Sequence, residues 1–372
     1  MTRPLHVMHV INNLPVGGAE RFLVLLADAQ RRQGLQVEVV ALTEPNPLAA
    51  ALAARNVPFT CLGSGSLRDA RVIVDLWRLL RRRKPHVVHT HLFYADTFGR
   101  LAARLAAVPV VVSTEHSTER AVLSGRRTVA MRLAAPLAMR IAAVSGSVAN
   151  ATVRRLHLPT SRVEVIPNGI ELEPWAAAEP VPRVALGVDP QAFLVGSVGR
   201  LDDAKGHDIL IDAIAAMQDP RVQVIVVGDG PRREALETQA AERGVAGAFH
   251  WLGWRTDVAA ILVSLDAFAQ PSRFEGHSMA LLEAMAAGRA CVVSDLPELT
   301  DTLGDAGLRA AVGDPPALAA RLGELRDNEA LRARLGRAAR TASAAYSIDV
   351  SAARYHDLYT RVLAAERGRS RS

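Results

Sequence analysis

Short apolar runs rich in β-branched residues alternate with amphipathic stretches of helical period along nearly the whole chain, and the alternation restarts once. In the first half the expected strands are Leu5–Ile11, Gln36–Leu42, Val57–Leu62, Val87–His91, Val110–Ser113, Arg140–Val144 and Arg162–Ile166. Helical patterns such as Ala19–Gln33, Asp69–Arg83 and Asp96–Ala107 fill the gaps. Strands that alternate with helices build a parallel, doubly wound sheet, because parallel neighbours need a crossover and the helix supplies it. A Pro-rich, helix-poor passage, Pro167–Pro190, reads as a linker with a turn at Pro167-Asn168-Gly169. Beyond it strands are expected at Phe193–Val198, Val222–Val227, Phe249–Leu252, Ala267–Gln270 and Ala290–Val293, and late helices through Pro316–Ala345 and Asp349–Ala365. The fold class is therefore α/β: two doubly wound parallel-sheet domains, expected to face each other across a cleft at the carboxyl ends of both sheets. A length of 372 residues, too long for one ordinary core, agrees with two domains.

Composition narrows the function classes. A 49% hydrophobic share carried by Ala, Leu and Val suits buried parallel sheets, and only the tail Arg367–Ser372 invites disorder. Two distant cysteines, Cys61 and Cys291, cannot form a Cys-rich metal site or a disulfide framework, so a reducing cytoplasm is expected. Met1–Ile11 already reads as a first strand, leaving no room for a signal peptide. The apolar stretch Met131–Val144 is broken by Arg132 and Arg140 and is too short to span a bilayer. Net charge is +6, but residues 1–170 hold 22 basic and 10 acidic residues, which makes the first half strongly positive and the second negative. Arg78, Arg81, Arg82, Arg83 and Lys84 form one basic cluster, and Arg120, Arg126, Arg127, Arg132 and Arg140 another. Such clusters are either solvated surface or a footprint for an anionic membrane or a phosphate-bearing acceptor. Nucleic acid is not expected, since no aromatic residues interleave with the arginines.

Three motifs carry chemistry. Val16-Gly17-Gly18-Ala19-Glu20 follows the first strand and opens a helix, where two glycines admit a ligand close to the backbone and free N–H groups favour an anion. It lacks the third glycine of a dinucleotide fingerprint, and a tight turn alone would also explain it. Val198-Gly199-Arg200-Leu201-Asp202-Asp203-Ala204-Lys205-Gly206 places Arg200 and Lys205 after another strand, as two cations suited to a diphosphate. Lysine occurs only at Lys84 and Lys205, so Lys205 departs from the chain's habit of using arginine. The third motif runs from Phe274-Glu275-Gly276-His277-Ser278-Met279 into a helix-prone segment that contains Glu283 and ends at Gly288. A fully helical span would put Glu275 and Glu283 roughly 12 Å apart, too far for a carboxylate pair of the retaining-glycosidase kind, which wants about 5 Å. That spacing suits one long ligand held at two places. Glu283 has Leu282, Ala284 and Met285 as neighbours, a poor setting for a solvated side chain. His89 and His91 alternate at a strand end, but no third metal ligand is recognisable beside them, and a structural or acceptor-side role is expected.

The Glu275-to-Glu283 pattern resembles the signature of retaining GT-B glycosyltransferases, specifically glycosyltransferase family four. The resemblance extends along nearly the whole chain. It takes in Gly17-Gly18, His89-Thr90-His91, Glu115-His116-Ser117, Val144-Ser145-Gly146-Ser147 and Val165-Ile166-Pro167-Asn168-Gly169-Ile170, then Arg200 with Lys205, Val227-Gly228-Asp229-Gly230-Pro231 and Leu252-Gly253. It implies that Arg200 and Lys205 hold a donor diphosphate and that Glu283 accepts from the ribose hydroxyls. It further implies that Glu275 and the backbone of Gly276, His277, Ser278 and Met279 hold the transferred sugar, with His277 shaping the loop. His116 would stand near the sugar's reacting face, and Gly17 and Gly18 would approach sugar and phosphates. The last helix would cross back, giving an acceptor-side domain of residues 1–170 plus 347–372 and a nucleotide-sugar domain of residues 171–346. Two departures are Glu171, where the family often has Asp, and the direct passage from Asp295-Leu296 to Pro297-Glu298-Leu299, where it often has a longer glycine-rich stretch.

The implied enzyme is a metal-independent, retaining hexosyltransferase with a nucleotide-diphosphate sugar as co-substrate and no other cofactor. A saccharide or lipid-linked acceptor would be its second partner. The chain has no Asp-x-Asp triplet of the kind metal-dependent sugar transferases of another fold use. Alternatives are a nucleotide-sugar epimerase or a phosphorylase on the same plan, or a non-catalytic binding subunit. A phosphorylase would need a lysine for pyridoxal phosphate in the second domain, where only Lys205 is present. Retention of Glu275, Glu283, Arg200, Lys205 and His116 argues against decay into a binding subunit.

Overall fold

A computed structural model describes residues 4–65, 69, 71–117 and 125–369. Arg120 of the second arginine cluster lies outside the described residues, as do residues 370–372 of the tail. The chain divides into two compact units, residues 1–169 with 348–372, and residues 170–347.

The first unit is a seven-stranded parallel sheet of β1 (His6–Ile11), β2 (Gln36–Ala41), β3 (Phe59–Cys61), β4 (Val87–His91), β5 (Val110–Glu115), β6 (Arg140–Ala143) and β7 (Val163–Val165). Their order across the sheet is β3-β2-β1-β4-β5-β6-β7. Each of the seven expected strands is present; β4 keeps its expected bounds, and the other six differ by one or two residues at one or both ends. The central strands are buried along their whole length, because helices cover both faces of a parallel sheet. One of these helices, Ile348–Arg369, comes from the far end of the chain. Ile348, Ala352, Tyr355, Tyr359 and Val362 recur at three- and four-residue intervals and are all buried. The stripe packs on the helix Gly18–Arg32 and on β5, with Tyr355 and Phe22 ring centroids 6.4 Å apart.

The second unit holds six parallel strands: β8 (Phe193–Val198), β9 (Val222–Val227), β10 (Phe249–Gly253), β11 (Ala267–Gln270), β12 (Ala290–Ser294) and β13 (Gly307–Ala310). They run β10-β9-β8-β11-β12-β13 across the sheet. Strand β13 escapes sequence reasoning: Gly307-Leu308-Arg309-Ala310 has no β-branched residue, and it is held in place by its pairing along β12 at the sheet edge. Pro167–Pro190 is not the open linker its composition implies. It contains a helical turn, Glu173–Ala176, and a 3-10 turn, Arg183–Leu186. Trp175, Leu186 and Val188 are buried, Val181 N donates to Ser264 Oγ at 2.8 Å, and Arg183 pairs with Asp266 at 2.8 Å. The helix expected over Pro316–Ala345 is two helices, Pro315–Asp327 and Glu329–Ser343, because Asn328 leaves the helical conformation and its side chain caps the second at Leu331 N.

In each sheet the strand order reverses beside the first strand of the unit, between β1 and β4 and between β8 and β11. At such a switch point the loops leaving the two strands diverge to opposite faces, and a crevice opens at the carboxyl ends. No described helix is long and apolar enough to cross a membrane.

Candidate active site

At the switch point of the second sheet, the loop after β8 meets the loop after β11. Glycines allow the approach. Gly228, at the end of β9, has φ +131°, and a Cβ there would overlap the Gly199 carbonyl oxygen. Gly199 N in turn donates to Val227 O at 2.9 Å. Gly206, at φ +65°, lies so close to the Pro271 carbonyl that no side chain fits. The Val227-Gly228-Asp229-Gly230 motif is thus a backbone-on-backbone clamp.

This clamp sets Lys205 opposite Glu275. Lys205 Nζ donates to Glu275 Oε1 at 2.7 Å. The same oxygen accepts from Gln270 Nε2 at 2.6 Å and from Ser272 Oγ at 2.8 Å. Gln270 turns its own Oε1 to Ser278 Oγ at 3.0 Å. Ser278 also caps the helix Met279–Ala286, accepting from Leu281 N at 3.2 Å. One relay therefore joins the end of β11, both expected ligand-binding loops and the helix N-terminus. Arg273 ties the same loops from outside, bidentate to Asp208 at 2.7 and 2.5 Å.

Lys205, Glu275, Gly276, His277, Ser278 and Met279 are brought into one neighbourhood. Glu275 through Met279 are buried, and the Lys205 side chain keeps 26% of its surface exposed. Arg200 is different: its side chain is 67% exposed, and its nearest carboxylate is Asp202 at 3.8 Å, so it stands apart from the Lys205 pair. Glu283 is 1% exposed, which rules out a solvated helix residue. The His277 ring packs 5.4 Å from Tyr346, and burial pushes its pKa down to about 4. His207 was not singled out from sequence, yet it begins the helix after Lys205, is buried, and neither ring nitrogen has a hydrogen-bond partner among the described residues.

In the first unit, Gly17 and Gly18 start the helix Gly18–Arg32, with no side-chain cap at Gly17. The Glu20 carboxylate fills the space a Cβ on Gly17 would take, and burial raises its pKa. His116 follows β5, and its ring meets Phe22 of the same helix edge-on with centroids 6.2 Å apart. A third imidazole that was not recognised beside His89 and His91 in the sequence is present in the structure. His9, on β1, puts a third imidazole beside them, one ring nitrogen of each lying within 4.8 Å of the others. The signal was in the sequence, because β1 and β4 pair in register with His9 opposite His89. Every ring nitrogen of the three already has a protein partner. His9 binds Gln30 at 2.8 Å and His91 at 3.0 Å; His89 binds Tyr359 and Thr114, each at 2.7 Å; His91 also binds His116 at 3.1 Å. The cluster is a hydrogen-bonded network in its present form, not an open metal cage.

Burial drives His9 and His116 down to about 4, and His89 and His91 well below the ordinary 6.5. These groups bind protons more readily in the unfolded chain. Their contribution to stability is complete above about pH 6.5 and is lost as pH falls toward about 4. For fully buried His9 the loss approaches about 1.4 kcal/mol per pH unit in that window. Urea melts between pH 7 and pH 4.5 should show a steep fall in midpoint that His9→Gln flattens; a pH-independent midpoint would show that the rings are protonated in the folded state.

Comparison with known proteins agrees with this geometry. Residues 16–174 match the model of Glycosyltransferase Family 4, and residues 192–328 that of Glycosyl transferases group 1. The chain is 30% identical over 362 residues to a phosphatidyl-myo-inositol mannosyltransferase of Mycobacterium leprae, covering 93% of each. It is also 30% identical over 253 residues to the Escherichia coli UDP-Gal:alpha-D-GlcNAc-diphosphoundecaprenol alpha-1,3-galactosyltransferase, covering 64% of this chain and 65% of that protein. Among solved structures, Anabaena HepE in complex with UDP and glucose superposes with a TM-score of 0.86 at 20% identity, over 96% of this chain and all of HepE. Motif, fold and relatives converge: the chain belongs to glycosyltransferase family four and has the GT-B fold.

Proposed function

We propose that the protein moves a hexose-type sugar, with retention at the anomeric carbon and without a metal ion, from a nucleotide-diphosphate sugar to an acceptor hydroxyl. The product would be a bacterial cell-surface polysaccharide or glycolipid. The observation that carries this reading is the Lys205–Glu275 pair at the switch point of the second sheet. With no donor bound, the carboxylate neutralises the ammonium. A donor diphosphate offers Lys205 more negative charge than one carboxylate does, and it would draw the ammonium away. Glu275, still held by Gln270 and Ser272, would then accept from hydroxyls of the sugar, beside the backbone N–H groups of Gly276, His277, Ser278 and Met279. Arg200, whose side chain is exposed, would close on the diphosphate from solvent. Glu283 would take the ribose hydroxyls.

In the chemical step the bond from the anomeric carbon to the diphosphate oxygen breaks, and its electron pair leaves with the diphosphate. The acceptor oxygen bonds to that carbon on the same face and gives its proton to the departing diphosphate. Lys205 and Arg200 stabilise the charge that grows on the leaving group. His116 and the Gly17–Gly18 turn are the first unit's proposed contributions, toward sugar and acceptor. The E. coli relative is named for a UDP-sugar donor and a diphosphoundecaprenol acceptor, and HepE was crystallised with UDP and glucose. Both support a nucleotide sugar here, and the first supports a lipid-linked acceptor. The exposed cationic side chains of Arg78, Arg81, Arg82, Arg83 and Lys84 on and after the helix Arg71–Arg83 would be the footprint for an anionic surface.

Three measurements test the reading. A thermal-shift and hydrolysis screen against nucleotide sugars should find one donor that stabilises the protein equally with and without EDTA; an EDTA-sensitive response would refute metal independence. Lys205→Ala should cut transfer by about two orders of magnitude, the size typical of a lost transition-state donor, and Glu283→Ala should weaken donor binding instead. Near-normal turnover in the first, or unchanged donor affinity in the second, removes that residue's role. Co-sedimentation with vesicles containing anionic lipid should be salt-sensitive; no binding at low salt argues for a soluble acceptor.

A further inference from the structure

Gln30 and three histidines from separate elements form one continuous line in the first unit, buried as far as His91 and ending at the partly exposed His116. Gln30 Oε1 faces His9 Nε2 at 2.8 Å, His9 Nδ1 faces His91 Nε2 at 3.0 Å, and His91 Nδ1 faces His116 Nε2 at 3.1 Å. The line ends at His116 Nδ1, a buried atom with no hydrogen-bond partner among the described residues. Its other end is anchored. Gln30 is fully buried, and its amide nitrogen donates to Tyr359 Oη at 3.2 Å. Tyr359, on the helix that closes the chain, also holds His89 Nδ1 at 2.7 Å.

The direction of every hydrogen bond follows from the first. An amide oxygen can only accept, so the hydrogen on His9 is on Nε2. A neutral imidazole carries one hydrogen, which makes His9 Nδ1 an acceptor and His91 Nε2 a donor. The same step repeats once more: His91 Nδ1 accepts, His116 Nε2 donates, and His116 Nδ1 is left as a bare lone pair. The rings stay neutral because burial depresses all three, with His91 pressed down further by its histidine neighbours.

We propose that Gln30, acting through His9 and His91, is a positioning residue that fixes the tautomer of His116, so that His116 Nδ1 can serve only as an acceptor for a donating hydroxyl. A misdirected ring would present N–H to the same hydroxyl and demand its lone pair instead. Taking that hydroxyl to belong to the transferred sugar rests on the function proposed above. The tautomer does not, since it is a property of the unliganded protein. A substrate selected this way must carry a free hydroxyl at the position His116 meets, and a fluoro or methoxy group there would be rejected.

NMR of the imidazole nitrogens in the unliganded protein tests the inference directly. The wild type should show His116 with Nε2 protonated and Nδ1 bare. Gln30→Leu removes the acceptor that faces His9 Nε2 and should give mixed tautomers. With the donor that the nucleotide-sugar screen selects, Gln30→Leu should lose about tenfold in turnover, the worth of one hydrogen bond. Hydrogen on His116 Nδ1 in the wild type would overturn the proposal without any variant having to fold. An unchanged tautomer in Gln30→Leu would equally overturn it. A changed tautomer with unchanged turnover would confirm Gln30's control of the ring and overturn instead the assignment of His116 to the sugar.

Discussion

A parallel sheet covered by helices on both faces admits a polar side chain within a strand only where it finds hydrogen-bond partners, as His9 and His89 do, and otherwise leaves it to the strand ends; that constraint organises both units of this protein. Strands such as β9 and β12 are almost wholly apolar along their length. Lys205 and Glu275 lie beyond the ends of β8 and β11, the two strands that flank the second unit's switch point, and His116 directly follows β5. Glycine makes the loops after β8 and β9 close enough to touch. A side chain at Gly206 would meet the Pro271 carbonyl and one at Gly228 the Gly199 carbonyl, so either would push apart the loops that carry Lys205 and Glu275.

The pair formed at that place is a compromise of the kind functional sites make. Glu275 Oε1 gathers an ammonium, an amide and a hydroxyl, which compensates a carboxylate for leaving water. Two of these three donors are neutral and belong to the same loop as Glu275 or the strand before it. They remain when Lys205 is drawn away, so the carboxylate is not stranded. An ion pair supported only by its partner could not release that partner so readily, because the remaining buried charge would bear the full desolvation cost.

Much of this was legible in the sequence, and the boundary of legibility has a physical cause. Continuous apolar runs and period-3.6 patterns reveal the buried strands and helices because burial demands them; β13 stays hidden since an edge strand pairs by backbone and needs little from its side chains. The Pro167–Pro190 passage reads as linker because prolines forbid helix, but Trp175 and Leu186 inside it supply the apolar anchors that hold it against a core. The motif residues around Lys205 and Glu275 are near neighbours of strand ends and so could be placed by counting. The partners of His89 could not. Tyr359 reaches it across 270 positions, and Gln30 reaches Tyr359 across 329. A contact between residues that far apart leaves no periodicity for the sequence to display.

Why an amide should end the histidine line, rather than a carboxylate, follows from charge. A carboxylate beside His9 would favour the imidazolium form, and a positive ring in the core would compete for protons with its neighbours. Glutamine imposes the same direction on the hydrogen bonds with no charge of its own. Its second functional group, the amide nitrogen, donates to Tyr359 Oη, so the side chain is held at both ends. The helix Ile348–Arg369 thereby does more than cover the sheet: through Tyr359 it holds the orientation of a side chain whose effect is felt three rings away, at His116.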